Sequence, residues 1–378
     1  MTLVPSLSAL LDLAFAPLHG FLQAPDVIEI CINRPEVVFV ERAGHPATGM
    51  TRHIIPALTA ERLRFMAERV AAASHQFVNE QEPLLSATLS DGARVQVVLP
   101  PAALDGGAMV IRRQVTRKLG LSDYAVSGAF QTTLVTDGSG ELTADETLMC
   151  ELLKAGNAEI FLREAVRRRV SMMISGGTGS GKTTFLNALM REIPVQERLI
   201  TIEDTPELTL PHDNHVRLIA TRGNQNVARI DARQLVEASL RMRPDRLLLG
   251  EVRGSEALDF LQAINTGHPG SLSTIHANSP SAAYTRLALL VMQGGGGAGL
   301  SKPEITDMLR MSLPLVIQLG RRNGRPGAVS EIYYEPFVRS SLHGSVSVTN
   351  PTPGFPSRRL PDVIEDETPF VRSAINPN

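Results

Sequence analysis

Some residue types are scarce in this chain, and their scarcity excludes several classes of protein. Only two of the 378 residues are cysteines, Cys31 and Cys150, too few for a disulfide framework or a four-cysteine zinc site. Tryptophan is absent and aromatic residues make up 4%, which argues against base stacking as the main binding mode. The cysteine usage predicts a protein of a reducing compartment, the cytoplasm.

An excess of positive charge and a long apolar run are also missing. Lys and Arg number 37 against 39 Asp and Glu, a formal net charge of -2, so no global positive field attracts nucleic acid or anionic lipid. No apolar run approaches the ~20 residues needed to cross a bilayer. The N-terminus carries no Lys or Arg before its apolar part, unlike a secretory signal. We therefore expect a soluble protein that touches DNA or membrane only locally.

Hydrophobic periodicity divides the chain into two folded parts, a linker and a tail. Residues 1–113 predict a small α+β domain, with helical spacing near both Leu10 and Met66 and a hairpin at Asp91-Gly92. Residues 114–140 are rich in Gly, Ser and Thr, which predicts a linker with one helix around Tyr124. Residues 337–378 contain many prolines and few apolar runs, which is typical of a disordered tail or a partner-binding segment.

Residues 141–336 alternate short apolar strands with helices. Helical spacing extends over 145–169. The predicted strands are 170–175, 198–203, 245–251, 271–275, 314–320 and 328–335, and helices are expected to start near Lys182, Asp231, Ser255, Ser281 and Lys302. Such alternation predicts a parallel sheet covered on both faces, an α/β fold.

One motif in this part binds phosphate. Residues 176–183 match G-x-x-x-x-G-K-[ST] between a predicted strand and a predicted helix. The glycines allow backbone N–H groups to surround a polyphosphate at the positive end of the helix. Lys182 would reach the β and γ phosphates, and the Thr183 hydroxyl would ligate Mg²⁺. The residues expected to hold the nucleotide are Gly177, Thr178, Gly179, Ser180, Gly181, Lys182, Thr183 and Thr184.

Carboxylates follow two other predicted strands. Glu251 ends DRLLLGE, and ligands of open α/β sheets bind at the carboxyl ends of strands. Glu251 is therefore the candidate for polarising water and holding Mg²⁺, although a glycine stands where the common motif has an aspartate. Glu203, Asp204 and Glu207 follow the strand RLITIE. They are interpreted as an active-site cluster, and an exposed turn with an N-cap is the alternative.

Histidines and arginines supply the remaining candidates. His276 follows the strand SLSTI, where it can contact a γ-phosphate, whereas His268 precedes that strand and can simply shape its loop. Arg241 and Arg243 stand before the strand of Glu251. An arginine raises phosphoryl-transfer rates by roughly 10³ to 10⁵, yet placement at a helix C-terminus explains these two equally well.

Four boxes occur in a fixed order: GGTGSGKTT, TIEDTPEL, LRMRPDRLLLGEVRG and TGHPGSLSTIHAN. Together they resemble the secretion ATPase superfamily that serves type II secretion, type IV pili and type IV secretion. Within it the chain is most similar to the conjugal-transfer ATPases of type IV secretion, because EICINRPEVVFVE, LSDGARVQVVLP and VIRR resemble the N-terminal domain of that branch. The resemblance spans roughly residues 25 to 335.

The resemblance implies a RecA-like P-loop ATPase domain with a smaller α+β N-terminal domain, assembled as a homo-hexamer that uses ATP and Mg²⁺. Glu203 and Glu207 would lie near metal and water, with Glu203, Glu251 and Thr183 as metal ligands, and His276 would sense phosphate. Arg112 or Arg113 would reach the nucleotide from the N-terminal domain. Arg243 is the candidate catalytic arginine on the strength of its position alone, apart from the resemblance. Hydrolysis would shift the two domains through the linker.

The same resemblance places the ring in the cytoplasm, peripheral at the inner membrane. Its partners would be the secretion system's inner-membrane ATPases and coupling protein, and it would power transfer of DNA or protein and pilus assembly. Direct nucleic-acid binding is not expected. The alternatives are a pilus-retraction motor and a nucleotide-gated assembly factor with little turnover.

Overall fold

The computed structural model describes residues 7–44, 49–114, 120–131, 133, 141–221, 227–295 and 299–343. Its helices are α1 (Leu7–Phe15), α2 (His19–Leu22), α3 (Ala60–Ala73), α4 (Leu121–Val126), α5 (Ala144–Lys154), α6 (Ala158–Arg167), α7 (Lys182–Met190), α8 (Ala232–Ser239), α9 (Glu256–Asn265), α10 (Pro280–Gln293), α11 (Lys302–Ser312) and α12 (Glu335–His343). None of these helices is long and apolar enough to cross a membrane.

Strands form two sheets. The first contains β1 (Val27–Arg34), β2 (Val37–Arg42), β3 (Thr51–Ile54), β4 (Leu84–Thr88), β5 (Arg94–Val98) and β6 (Ala108–Arg112) in the order β3-β2-β1-β6-β5-β4. The second contains β7 (Met172–Gly176), β8 (Leu199–Glu203), β9 (His215–Ile219), β10 (Arg246–Leu249), β11 (Leu272–Ile275), β12 (Leu315–Arg322) and β13 (Arg325–Tyr334) in the order β13-β12-β7-β11-β10-β8-β9.

The first sheet is wholly antiparallel and carries an amphipathic helix on one face. Thr59 caps the start of helix α3, because its side chain accepts a hydrogen bond from the Arg62 amide, and the helix buries Leu63, Met66 and Val70. These side chains pack with Ile30 and Ile32 of β1 in one apolar cluster. The predicted α+β character of the N-terminal part is confirmed.

The opposite face of the first sheet packs on the second sheet. Cys31 and Phe39 belong to the same buried cluster as Ile202, Val216 and Leu218. A second apolar cluster, on the other face of the large sheet, buries residues of α5, α6 and α7. The first sheet therefore lies between helix α3 and the large sheet. Residues of both sheets contribute to the apolar cluster that separates them.

The second sheet confirms the predicted α/β domain. Strands β12, β7, β11, β10, β8 and β9 pair in parallel, and β13 adds an antiparallel edge. Because parallel strands share one direction, the residues after β7, β8, β10 and β11 meet at one edge of the sheet.

The structure corrects three details of the sequence prediction. The helical pattern over 145–169 breaks into α5 and α6, because Gly156 adopts a left-handed φ of 73° after the first helix. Strand β9 was not among the predicted strands, since it has only five residues and two of them, His215 and Arg217, are polar. The exposed edge strand β3 was also missed.

Helix α12 runs past the predicted start of the tail at 337. Pro336 occupies its first turn, Phe337 packs against the apolar cluster below α5, and Arg339 forms an ion pair with Glu146 at 3.0 Å. The remainder of the predicted tail, residues 344–378, lies outside the described residues, as do several positions of the predicted linker. Helix α4 lies where the linker helix was expected.

A buried ion pair fixes the amino end of β10. The guanidinium of Arg246 is fully buried; its Nε and Nη2 donate to Glu197 at 2.6 and 2.9 Å, and its Nη1 donates to the Val166 carbonyl at 2.7 Å. The arginine thus ties helix α6, the start of β8 and the start of β10 together. This anchor sets the position of the strand that leads to Glu251.

Substitution Glu197→Ala is expected to lower the free energy of unfolding by about 3–5 kcal/mol, because it leaves the Arg246 charge buried without its partner. Chemical unfolding of purified protein measures this loss. The control is Glu192→Ala, which breaks half-exposed pairs with Arg163 and Arg167 and should cost at most about 1 kcal/mol. Equal losses in the two variants would contradict the structural role of Arg246.

Candidate functional site

The phosphate-binding motif forms a tight loop between β7 and α7. A Cβ on Gly176 would lie 2.4 Å from Ser180 Oγ and 2.9 Å from the Leu319 carbonyl oxygen, so only glycine fits there. Gly181 precedes α7 with a φ of 89°, in the left-handed region that favours glycine. The loop therefore presents the N-terminus of a nine-residue helix, the feature that stabilises a bound phosphate.

The hairpin of β12 and β13 packs on this loop. The Gly327 amide donates to the Ser180 carbonyl at 2.8 Å, and Arg321 Nε donates to the Gly179 carbonyl at 3.3 Å. Neither contact was anticipated from the sequence, because the hairpin lies some 140 residues further along the chain. The two hydrogen bonds hold the loop from the side opposite the acidic residues.

Lys182 is nearly buried, with 9% of its surface exposed. Its Nζ donates to the carbonyls of Gly176 and Gly177 at 3.0 and 3.3 Å, and lies 3.4 Å from His276 Nε2. Burial lowers the pKa of Lys182, with a further contribution from Arg253, while Glu251 opposes the shift. The predicted lysine and the predicted histidine are therefore brought together, with the ammonium held by loop carbonyls.

Glu251 stands two residues after the end of β10. Its Oε2 accepts a hydrogen bond from Arg253 Nη2 at 2.6 Å, and its Oε1 lies 3.8 Å from His276 Nε2. Burial tends to raise the pKa of this carboxyl, but Arg253, His276 and Lys182 outweigh it and hold the pKa below the usual range. Glu251 is thus an ionised carboxylate beside Lys182.

Glu203, the last residue of β8, has the opposite electrostatics. It is 5% exposed, and its Oε1 accepts from the amides of Glu207 and Leu208 at 2.8 and 2.9 Å. Its Oε2 is buried without a hydrogen-bond partner. Burial raises the pKa of Glu203 in spite of the two amides, so a bound cation would relieve an unfavourable environment.

The two carboxylates, Glu203 and Glu251, border one cleft of about 590 Å³. Thr183, Glu203 and Glu251 all line it, and their hydroxyl and carboxylate oxygens are the ligands that Mg²⁺ prefers. Among the residues that the structure describes, no three His, Cys, Asp or Glu side chains are grouped closely enough to hold a metal ion. The three oxygen donors of the cleft therefore suit Mg²⁺ as part of a coordination shell that water and phosphate oxygens would complete. The complete lining is Pro101, Thr183, Glu203, Asp204, Thr205, Glu207, Ile219, Ala220, Thr221, Val227, Gly250, Glu251 and Arg253.

His268 lies away from this cleft. Its Nδ1 donates to the Ala263 carbonyl at 3.0 Å, at the end of α9. This contact agrees with the interpretation that His268 shapes the loop before β11.

The predicted arginines do not line the cleft of this chain. Arg243 pairs with Glu41 at 2.7 Å and with Asp245 at 2.9 Å. Arg241 Nη1 donates to a carbonyl of its own helix end, that of Glu237, at 3.3 Å.

Arg112 and Arg113 of the N-terminal sheet are also engaged elsewhere. Arg112 donates to Glu29, with its Nη2 at 3.1 Å, and Arg113 Nη1 donates to the backbone carbonyls of Ala24 and Val27. Both guanidinium groups therefore face β1 and the chain preceding it, and neither lines the cleft.

Arg253 is the cleft arginine that sequence reasoning missed. Besides its contact with Glu251, its Nη1 lies 3.5 Å from Asp204 Oδ2. Glu256 shapes the loop, since its Oε1 accepts from the amides of Arg253 and Gly254 at 2.6 and 2.8 Å. The signal in the sequence is its place two residues after Glu251, in the same strand-end loop.

Comparisons with known proteins show the family to which the chain is similar. A family model described as Type II/IV secretion system protein matches residues 147–331. The chain is 38% identical to the type IV secretion system protein VirB11 of Bartonella henselae over 338 residues, 87% of this chain and 94% of that relative. It is 39% identical to VirB11 of Brucella suis over 332 residues, 86% and 90% of the two chains.

A solved structure agrees as well. The crystal structure of the VirB11 ATPase from the Brucella suis type IV secretion system, in complex with sulphate, superposes with a TM-score of 0.79 at 37% identity. The match covers 88% of this chain and 100% of the chain in the solved structure.

The phosphate-binding loop, the acidic strand ends and the RecA-like sheet with its smaller N-terminal domain define a P-loop ATPase of the type II/IV secretion class. The identity to full-length relatives narrows the class further. The chain belongs to the VirB11 family of type IV secretion ATPases. Of the functions considered from the sequence, the secretion ATPase is therefore confirmed.

Substitution Arg253→Ala is expected to reduce kcat for ATP hydrolysis by about 10–100-fold, because it removes the partner that orients Glu251. Steady-state phosphate release should show a smaller change in KM, and Arg253→Lys should restore part of kcat. Arg163→Ala, on the outer face of α6, is the control. Wild-type kcat in Arg253→Ala would show that Glu251 needs no such support.

Proposed function

We propose that this ATPase hydrolyses Mg²⁺-bound ATP in the cleft beside Lys182 and uses the energy to drive type IV secretion. The observation that carries the proposal is the convergence of Lys182, His276 and Glu251 within 3.8 Å contacts at one edge of the sheet. Of these three residues, Glu251 also lines the cleft that contains Glu203 and Thr183.

Binding of the polyphosphate would replace the present partners of Lys182. The ammonium now rests on two loop carbonyls, and a phosphate oxygen offers it a full negative charge instead. Thr183, Glu203 and Glu251 would hold Mg²⁺, which when bound neutralises charge that develops on the phosphates. The backbone of residues 177–184 would surround the phosphate chain.

The carboxylates then take different roles. Glu251 is ionised and lies beside His276, so it would accept a proton from, or orient, the attacking water. Glu203 and Glu207 would complete the surroundings of metal and water. His276, adjacent to both Lys182 and Glu251, would contact the γ-phosphate and respond to its loss.

The assembly we propose is a homo-hexameric ring in the cytoplasm, bound to the inner membrane through the secretion system's ATPases and coupling protein. Arg112, Arg113, Arg241 and Arg243 do not line the cleft of their own chain, so an additional catalytic arginine would come from a neighbouring subunit. Hydrolysis would shift the N-terminal sheet relative to the ATPase sheet, and the ring would pass that motion to its partners in DNA or protein transfer and pilus assembly.

Substitution Lys182→Ala is expected to reduce Mg²⁺-dependent ATP hydrolysis to background, because the phosphates lose their buried cation. Phosphate release by purified protein is the measurement. The matched control is Lys154→Ala, an exposed lysine at the end of α5, which should leave turnover unchanged. Turnover at the wild-type rate in Lys182→Ala would refute the assignment of the site.

The same variant tests the cargo. A strain carrying Lys182→Ala on the chromosome should lose both plasmid transfer and effector secretion if the ring powers both. Loss of one process alone identifies the cargo that depends on this ATPase.

Substitution Glu251→Gln is expected to preserve ATP binding and to lower kcat by about 10²- to 10⁴-fold, because the amide cannot accept the proton. Titration with a fluorescent ATP analogue and single-turnover hydrolysis separate the two effects. Glu159→Gln, on the exposed face of α6, serves as control. Loss of binding by a folded Glu251→Gln protein would be evidence against its role in the chemical step.

A further inference from the structure

The segment between β5 and β6 leaves the N-terminal sheet and lies along the edge of the ATPase sheet. Ala103 forms an antiparallel bridge with Leu218 of β9. The Ile219 amide donates to the Ala102 carbonyl at 2.8 Å, and the Leu104 amide donates to the Arg217 carbonyl at 3.1 Å. Residues 101–105, here named the bridge segment, thus extend the ATPase sheet beyond its edge strand β9.

Side chains reinforce this backbone pairing. Arg217 of β9 donates from Nε and Nη2 to both carboxylate oxygens of Asp105, at 3.0 and 2.5 Å. These hydrogen bonds hold the pKa of Asp105 below its usual range against the effect of burial. Ala102 and Ala103 are buried at 0% and 3% exposure, in the same cluster as Leu218.

On its other side, β9 pairs with β8, whose last residue is the candidate catalytic carboxylate Glu203. Ile219 pairs with Glu203 of β8 in register, and the Ala220 amide donates to the Glu203 carbonyl at 2.8 Å. Ile219 therefore stands between Ala102 and Glu203, one strand from each. Pro101, at the start of the bridge segment, lines the same cleft as Glu203 and Glu251.

We propose that the bridge segment couples the N-terminal sheet to the nucleotide cleft, with Asp105 and Arg217 as positioning residues that act on Glu203 through β9. The coupling rests on the proposed function, in that the cleft beside Lys182 is where ATP binds. It differs from the linker as a route between the two parts, because it connects them through hydrogen bonds at the cleft wall.

The ion pair of Asp105 with Arg217 strengthens a short backbone pairing. The bridge contributes two backbone hydrogen bonds to β9, fewer than a full strand pairing provides. The bidentate contact from Arg217 to Asp105 adds orientation as well as attraction. Without it, only the two backbone hydrogen bonds and the packing of Ala102 and Ala103 would join the bridge segment to β9, a looser connection to the Glu203 side of the strand.

The experiment is hydrogen exchange on the full-length protein, with and without ATPγS. Slower exchange in α7 amides reports binding at the phosphate loop, and slower exchange in residues 101–105 and 215–221 reports coupling. We expect both responses in wild type. In Asp105→Asn and in Arg217→Gln, the α7 response should remain and the response of the bridge segment should be lost.

Kinetics supply the second readout. Each single variant should lower kcat by about 10-fold with KM for ATP little changed, because Glu203 is displaced while the phosphate loop is intact. The charge exchange Asp105→Arg with Arg217→Asp should restore most of both readouts. Asp26→Asn is the matched control, since Asp26 pairs with Arg42 within the N-terminal part at 2.8 Å, away from β9.

The outcomes separate this inference from the proposed function. Absence of an α7 response in wild type, or ATP turnover that survives Lys182→Ala, contradicts the proposed function. A normal α7 response with no response of the bridge segment in wild type overturns the coupling alone. So does an unchanged response in the Asp105 and Arg217 variants, or an equal effect of Asp26→Asn.

Discussion

Parallel pairing of four strands is the constraint on which the site depends. Strands β7, β11, β10 and β8 are neighbours in the large sheet, and all four run in the same direction. The chain therefore delivers Lys182, His276, Glu251 and Glu203 to one edge from four separate positions in the sequence. At the amino ends of the strands, the buried contact of Arg246 with Glu197 joins the starts of β10 and β8.

Within the cleft, the pKa values of two carboxyl groups are shifted in opposite directions. Glu251 is kept ionised by Arg253, whereas burial disfavours the charge of Glu203. Two carboxyl groups in one cleft are thus driven toward different protonation states, the condition under which they can serve different chemical roles. Lys182 contributes to the contrast, because its positive charge lies beside Glu251.

Local patterns explain which features the sequence could predict. The sequence predicts four site residues because each lies at or soon after the end of a short apolar run. They are Lys182, Glu203, Glu251 and His276. Arg253 was within the same reach and was overlooked. The surroundings of Arg112 and Arg243 could not be predicted in this way. Their partners Glu29 and Glu41 are distant in the chain, and no local sequence pattern reveals such contacts. The bridge segment is the extreme case, since it is a loop by composition and becomes part of a sheet only through β9.

The shared core also determines what kind of motion the two parts can make. Cys31 and Phe39 of the first sheet pack in one cluster with Val216 and Leu218 of the second, and protein interiors are as dense as organic crystals. Opening a gap between the sheets would expose this apolar surface to water at about 25 cal/mol per Å². Sliding of one sheet over the other keeps the surface covered. Shear of one sheet over the other, in small steps of side-chain repacking, is therefore the less costly relative motion for the two parts of the chain.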